Sequence, residues 1–161
     1  MKTTARQFTY LFNLALAILL AATTPLQAIA DGEISGFATM QDDGLLKISG
    51  YSIRLYGIYI PPTGQTCYSF VRPMPCGSRA ALALNFKIEG DFVHCTQRLR
   101  HVDGSLTASC TLGNEDLSEW LLQKGWAVAL PDAPFHYSAL EKIAQSRGIG
   151  IWGVPVDILR K

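Results

Sequence analysis

The stretch Ile53-Arg54-Leu55-Tyr56-Gly57-Ile58-Tyr59-Ile60-Pro61-Pro62 decides the fold of this chain. It starts as a β-strand and ends at two consecutive prolines, because proline cannot donate to a central hydrogen-bond ladder. Outward from it, β-branched and apolar patterns predict further strands, and apolar residues at helical spacing predict helices. The predicted strands are 34–40, 45–49, 51–58, 92–96 and 106–112, and the predicted helices are 78–88, 115–124 (capped by Asn114) and 137–147. This order of elements indicates an α+β protein.

The first 30 residues have the pattern of a secretory signal peptide. Lys2 and Arg6 give it a positive start, residues 11–22 are almost entirely apolar, and Ala28-Ile29-Ala30 is a small-x-small cleavage pattern. We therefore expect residues 31–161 to form a single exported domain. An uncleaved N-terminal anchor is the alternative, although the apolar run is short for a membrane span. No later segment is apolar enough to suggest a membrane span.

Four cysteines follow this leader, and an even number in an exported chain points to disulfides. Of the three possible pairings, the sequence favours Cys67–Cys76, closing a short proline-containing loop, and Cys95–Cys110, joining two predicted strands. A zinc site is the competing interpretation. It is disfavoured because the chain has no C-x-x-C pair and His94 would point away from Cys95 on the same strand. Disulfides would place the protein in an oxidising compartment, the periplasm or the exterior.

The charge balance bears on the class of ligand. The chain carries 14 basic and 13 acidic residues. Two of the basic residues lie in the leader, which leaves 12 against 13 and a net charge of −1 for the exported part. Proteins that bind nucleic acid usually have a basic surplus or stripe. The balance therefore disfavours a nucleic-acid partner, and a local basic patch stays open.

Three segments of the exported part, taken together, resemble the staphylococcal-nuclease-like (thermonuclease) family. The stretch 53–62 looks like the family run I-R-L-x-G-I-D-A-P-E, and residues 117–127 look like its D-L-N-x-x-L-V-x-x-G-W-A segment. Residues 137–152 resemble its closing Y-x-x-x-E-x-x-A…G-x-W pattern. The cysteine positions are similar to those of an exported branch found in Gram-negative bacteria. The similarity covers residues 34–153.

This resemblance implies both a fold and a chemistry. The fold is a five-stranded OB-type β-barrel with three helices, which agrees with the predicted order of strands and helices. The chemistry is calcium-dependent hydrolysis of phosphodiesters. Carboxylates hold the metal, a glutamate activates water, and two arginines neutralise charge on the phosphorus.

Only one of the family's catalytic positions is retained in this sequence. The two metal-binding aspartates correspond to Gly44 and Tyr59, the glutamate base to Pro62, and the second arginine to Ser105, whereas Arg54 matches the first arginine. Losing one such group typically costs orders of magnitude in rate. The resemblance therefore implies a chain without a bound calcium ion or other cofactor and without metal-dependent nuclease activity.

The favoured function is thus a binding or accessory module of the cell envelope, with a protein or polysaccharide partner. Tyr56, Tyr59 and Tyr68 are the candidate binding residues, because they are expected near the mouth of the barrel and tyrosine rings stack on sugars and bases. At family level, some nuclease-like proteins of this kind accompany exopolysaccharide production. A small structural subunit of an envelope assembly is a further possibility.

The alternative is an active exported nuclease with a rebuilt site. Its residues would be Arg54, Asp42, Asp43 and Asp103, because these acids lie on two predicted turns near the retained arginine. Neither a general base nor a second cation is identifiable in this set, which makes it the weaker hypothesis.

Overall fold

The computed structural model describes residues 32–68 and 73–153, so the predicted signal peptide lies outside the described residues. The strands are β1 (Glu33–Met40), β2 (Leu46–Ile48), β3 (Tyr51–Leu55), β4 (Ile58–Tyr59), β5 (Cys67–Tyr68), β6 (Pro73–Met74), β7 (Phe92–Arg100), β8 (Leu106–Leu112), β9 (Glu115–Asp116) and β10 (Val128–Ala129). The helices are α1 (Cys76–Ile88), α2 (Leu117–Gln123) and α3 (Phe135–Arg147), followed by a 3-10 turn at Gly150–Trp152.

Five strands close into a barrel in the order β3-β2-β1-β7-β8. The closing pair, β3 with β8, is parallel and sets Ile53 opposite Leu106 and Leu55 opposite Ala108. The other neighbouring pairs in the barrel are antiparallel. This arrangement is an OB-type barrel, and with its three helices it confirms the predicted α+β fold class.

The barrel closes around an apolar interior because its strands alternate between buried and exposed residues. In β1 every second residue from Ile34 to Ala38 is buried, and in β8 the residues Leu106, Ala108 and Cys110 face inward. Helix α1 adds Leu84, which is fully buried. Burying a large aliphatic side chain of this kind stabilises the fold by roughly 1.5–3 kcal/mol.

Two disulfides brace this framework, and they are the pairings that the sequence favoured. Cys95 lies opposite Cys110 across β7 and β8, and both side chains face the barrel interior. Cys67 in β5 is bonded to Cys76 at the first residue of α1. The two bonds indicate that the protein folds in an oxidising environment. Within the described residues, no helix is long and apolar enough to cross a membrane.

The third strand is shorter in the structure than predicted. It ends at Leu55 instead of Ile58, because Gly57 turns the chain with a φ of +73°. The residues Ile58–Tyr59 then form β4, which pairs with β10 instead of continuing the barrel. Because of this turn, the residues after Leu55 leave the barrel wall.

Other boundaries also differ from the prediction, and α1 and α3 each begin two residues earlier, at Cys76 and Phe135. Helix α2 is capped by Asp116, whose Oδ1 accepts a hydrogen bond of 3.0 Å from the backbone N–H of Glu119, and not by Asn114. An acid two residues later fits the cap as well as asparagine does. Strand β7 continues past Thr96 to Arg100 and contains a bulge between Gln97 and Leu99.

Candidate functional site

A cleft of about 530 Å³ lies on the outer face of the barrel, where β3 and β8 run side by side. Arg54 and Tyr56 reach it from β3 and the turn that follows, and Arg98 and His101 reach it from the end of β7. Its lining includes every residue of the segment 54–60. We call it the β3–β8 cleft. The resemblance predicts catalytic positions at residues 44, 54, 59, 62 and 105, and of these Gly44, Arg54 and Tyr59 line the cleft.

Gly44 is held in a position that leaves no room for a side chain. Its φ is +86°, in the left-handed region that favours glycine. A β-carbon added there would lie 2.7 Å from the carbonyl oxygen of Ile60, a distance that real β-carbons essentially never show. An aspartate at this position would therefore require the turn or the segment after β4 to move.

The positions that correspond to the second aspartate and to the glutamate base form a turn packed between backbone segments. The Tyr59 hydroxyl donates a 2.6 Å hydrogen bond to Gln65 Oε1, and its ring is half-exposed on the cleft. The Pro62 carbonyl accepts from the backbone N–H of Gln65 at 2.8 Å. A β-carbon on Gly77 of α1 would overlap that same carbonyl. A glycine, a tyrosine and a proline offer a calcium ion no carboxylate here.

Asp42 and Asp43 both accept hydrogen bonds near the cleft. Asp42 Oδ1 accepts from the Thr63 hydroxyl at 3.1 Å, and Asp43 Oδ1 accepts from the backbone N–H of Leu45 at 3.0 Å. The Asp43 bond is typical of an aspartate that shapes a turn, whereas the Asp42 bond joins two segments that are 21 residues apart along the chain. The cleft lining includes Asp43, whereas Asp42 lies beside Thr63.

Asp103 has a similar role in the turn between β7 and β8. Its Oδ1 accepts from the Ser105 hydroxyl at 2.6 Å and from the Ser105 backbone N–H at 2.9 Å. These bonds, and to a smaller extent the nearby Arg54 guanidinium, hold the pKa of the Asp103 carboxyl below its ordinary value. Ser105, at the position of the family's second arginine, is thus buried as a turn-stabilising hydroxyl.

Arg54 contacts Asp103 weakly. The distance from its Nη2 to Asp103 Oδ2 is 3.5 Å, and both side chains are about half-exposed, so the pair adds little stability. The structure therefore brings Arg54, Asp103 and Asp43 to one region but leaves Asp42 apart. Within residues 32–68 and 73–153, no three acidic, histidine or cysteine side chains come together closely enough to hold a metal ion.

Sequence reasoning missed Arg98 and His101 as cleft residues. Arg98 Nε donates to Ser109 Oγ at 3.1 Å, and its guanidinium lies 5.7 Å from the centre of the Tyr56 ring. His101 Nε2 lies 2.8 Å from Thr107 Oγ1. Their location depends on the bulge in β7, because a bulge re-aims the side chains of its strand. Three of the four residues at 98–101 are basic, and this cluster was the signal that could have drawn attention to them.

The three tyrosines proposed as binding residues do not line one groove. Tyr56 and Tyr59 line the β3–β8 cleft, but Tyr68 is 83% exposed on another groove, with Gln65 and Trp152. The pairing of β5 with β6 carries Tyr68 away from the barrel wall. The cleft therefore holds two tyrosines and not a cluster of three. Its lining also includes two acids, Asp43 and Asp132.

No family model matches this sequence, and the search of curated proteins finds no match either.

Proposed function

We propose that this chain is an exported member of the thermonuclease-like family that has lost phosphodiesterase activity and serves as a binding module of the cell envelope. The observation that carries the proposal is the closeness of the Ile60 carbonyl oxygen to the point that a β-carbon on Gly44 would occupy. A carboxylate cannot be placed at that position of the family's metal site without moving the backbone.

The oxygen atoms available at the other family positions also support the loss of calcium-dependent activity. Calcium takes six to eight oxygen ligands, and carboxylates supply most of its charge compensation. At the remaining family positions the hydroxyl of Tyr59 is engaged with Gln65, and Pro62 has only its carbonyl to offer, which is already bonded. The residues at these positions therefore do not fit calcium.

The composition of the cleft supports a binding function. It combines Arg54 and Arg98 with two tyrosines and with the exposed side chain of Leu99. Arginine and tyrosine are the side chains most enriched at the energetic centres of binding sites. The proposed ligand is a protein or polysaccharide partner met in the periplasm or outside the cell. The proposed export rests on the disulfides and the leader pattern.

The test is a calcium titration followed by a nuclease assay on the oxidised protein purified from the periplasm of an expression host. We expect no calcium-binding heat and no hydrolysis of single-stranded DNA, double-stranded DNA or RNA above the blank. An active calcium-dependent nuclease in the same buffer is the positive control. Calcium-stimulated cleavage that Arg54→Ala abolishes would overturn the proposal.

The second candidate, an active nuclease with a rebuilt site, is supported by the contact between Arg54 and Asp103 and by the position of Asp43 on the cleft. It requires that cleavage depend on all three side chains. Cleavage by the wild type that persists unchanged in Arg54→Ala and Asp43→Asn would refute this candidate, because contamination would then be the source.

A further inference from the structure

Three basic side chains line one cleft, which is also lined by Asp43 and Asp132. Arg54 and Thr107 are partners in the parallel pairing of β3 with β8, and His101 is bonded to the same Thr107. Arg98 belongs to the neighbouring strand β7. Its side chain contacts Ser109 of β8 and the Tyr56 ring. Among the described residues, Asp103 is within ion-pair distance of Arg54, and no carboxylate lies within 4 Å of the Arg98 guanidinium.

Two contacts orient the exposed side chain of Arg98. The Ser109 hydroxyl fixes its Nε, and the Tyr56 ring supports the guanidinium plane. These two contacts leave the terminal amino groups of Arg98 free to donate into the cleft. A guanidinium with its orientation fixed in advance loses less entropy when it binds a planar or tetrahedral oxyanion.

We infer that Arg98, a residue of a different strand, provides the second guanidinium that the family pattern loses at Ser105, and that Arg54, Arg98 and His101 together bind one anionic group of the ligand. The inference rests on the proposed binding function and names the chemistry of its ligand. The group is a carboxylate or a phosphate, since both present paired oxygens to a guanidinium fork.

Two acids of the cleft restrict what the rest of that ligand is. Asp43 and Asp132 line the same cleft, and their negative charge disfavours an uninterrupted polyanion such as a nucleic-acid strand. Neutral hydroxyl or amide donors next to the anionic group would suit these two carboxylates. The ligand we infer therefore carries an isolated anionic group on an otherwise uncharged framework.

Arg100 provides a matched control for Arg98. It lies two residues along the same strand and carries the same charge, but it lines a separate groove with Glu33 and Tyr51. The experiment follows side-chain and backbone NMR shifts of the oxidised protein during titration with acetate, inorganic phosphate or oligothymidylate at constant ionic strength. The proteins are wild type, Arg98→Gln, Arg98→Lys and Arg100→Gln, and their amide spectra show whether each is folded.

We expect acetate or phosphate to shift the signals of Arg98, His101 and Tyr56 in a saturable way. Arg98→Gln should weaken this binding by about tenfold, the loss of roughly one charge-assisted contact, and Arg100→Gln by less than about twofold. Arg98→Lys should fall between them, because it keeps the charge but not the fork. Which small anion binds more tightly identifies the group as carboxylate or phosphate.

Other results would overturn the inference. These are no saturable shift with either small anion, equal losses in Arg98→Gln and Arg100→Gln, or tight oligothymidylate binding that grows with strand length. A nuclease assay on the same samples separates this outcome from failure of the proposed function. Hydrolysis with intact anion binding would overturn only the proposed function, and absent anion binding without hydrolysis would overturn only the Arg98 site.

Discussion

The carbonyl oxygen of Ile60 stands 2.7 Å from the point that a β-carbon on Gly44 would occupy. This approach joins the turn after β1 to the segment after β4, and a 2.8 Å bond from the Thr63 N–H to the Asp42 carbonyl reinforces the same junction. The two segments that would have to open around a metal ion are thus packed directly against each other. On the proposed family assignment, the position that lacks a metal ligand is also one where the backbone leaves no room for a side chain.

The first prediction concerns the replacement Gly44→Asp, which restores an acid at this position. We expect it to destabilise the protein by about 3 kcal/mol, because a left-handed backbone and a steric overlap both oppose the new side chain. It should not create calcium binding. Urea unfolding and a calcium titration measure the two effects.

Gly50→Asp is the control for Gly44→Asp. Gly50 has almost the same φ, +87°, but a β-carbon there would meet no heavy atom within 4 Å. It should cost only about 1 kcal/mol, the backbone contribution alone. Equal losses in the two variants would show that the Ile60 approach is not a constraint.

The second prediction concerns acid stability and Asp103. Hydrogen bonds from Ser105 lower the pKa of this carboxyl in the folded protein below its ordinary 3.8. A depressed folded-state pKa means that the ionised group favours folding above pH 3.8, and that this contribution is lost as the pH falls below that value. We expect the stability difference between wild type and Asp103→Asn to shrink in acid.

Unfolding curves recorded from about pH 6 to about pH 2 would measure that difference. Ser105→Ala is the informative companion variant, since it removes the hydroxyl donor that contributes most and should reduce the acid dependence. A difference between wild type and Asp103→Asn that stays constant across this range would contradict the account.

The third prediction concerns alkaline stability and Tyr137. Burial raises the pKa of Tyr137 to about 12, and the nearby Asp116 carboxylate adds to the shift. Its side chain is only 4% exposed. The unfolded chain ionises this phenol near pH 10 and the folded chain does not, so stability is lost as the pH rises from 10 toward 12, by roughly 2 kcal/mol.

Tyr137→Phe should remove that alkaline loss. It should cost less than about 1 kcal/mol at neutral pH, because the bond from the Tyr137 hydroxyl to Asp116 is long, at 3.4 Å. Tyr51→Phe, at an exposed tyrosine on a separate groove, controls for removal of a phenol as such. If the stability of wild type and of Tyr137→Phe falls equally as the pH rises, Tyr137 is not the source of the alkaline loss.

The fold could be predicted from the sequence because its signals are periodic and repeated. Alternating burial in β1 and β8 follows the printed apolar pattern, and the motif around 53–62 orders the rest. What escaped prediction is set by tertiary contacts. The two-residue strands β4 and β10 have no period of their own, and only their pairing with each other defines them.

The site was less predictable for the same reason. The sequence places a glycine at 44, but only the fold brings the Ile60 carbonyl against it. The bulge in β7 directs Arg98 toward Ser109 and Tyr56, and a bulge leaves no distinct pattern in a single sequence. Tyr68 is close to Tyr59 along the chain, yet the two side chains line different grooves.

The fourth prediction compares the two disulfides. Cys95–Cys110 spans 15 residues and Cys67–Cys76 spans nine. By restricting the unfolded chain, each disulfide should therefore stabilise the folded protein by a similar amount, roughly 2–3 kcal/mol. Their surroundings differ. Both sulfurs of the first pair lie inside the barrel, whereas Cys67 is partly exposed.

Replacing both cysteines of the barrel pair by alanine should therefore cost more, about 4 kcal/mol, because it also leaves a cavity between β7 and β8. The double alanine variant of Cys67 and Cys76 should lose about 2–3 kcal/mol. Urea unfolding of the two oxidised variants beside the wild type decides the order. A larger loss from the Cys67–Cys76 variant would mean that the segment after β4, and not the barrel wall, limits the stability of this protein.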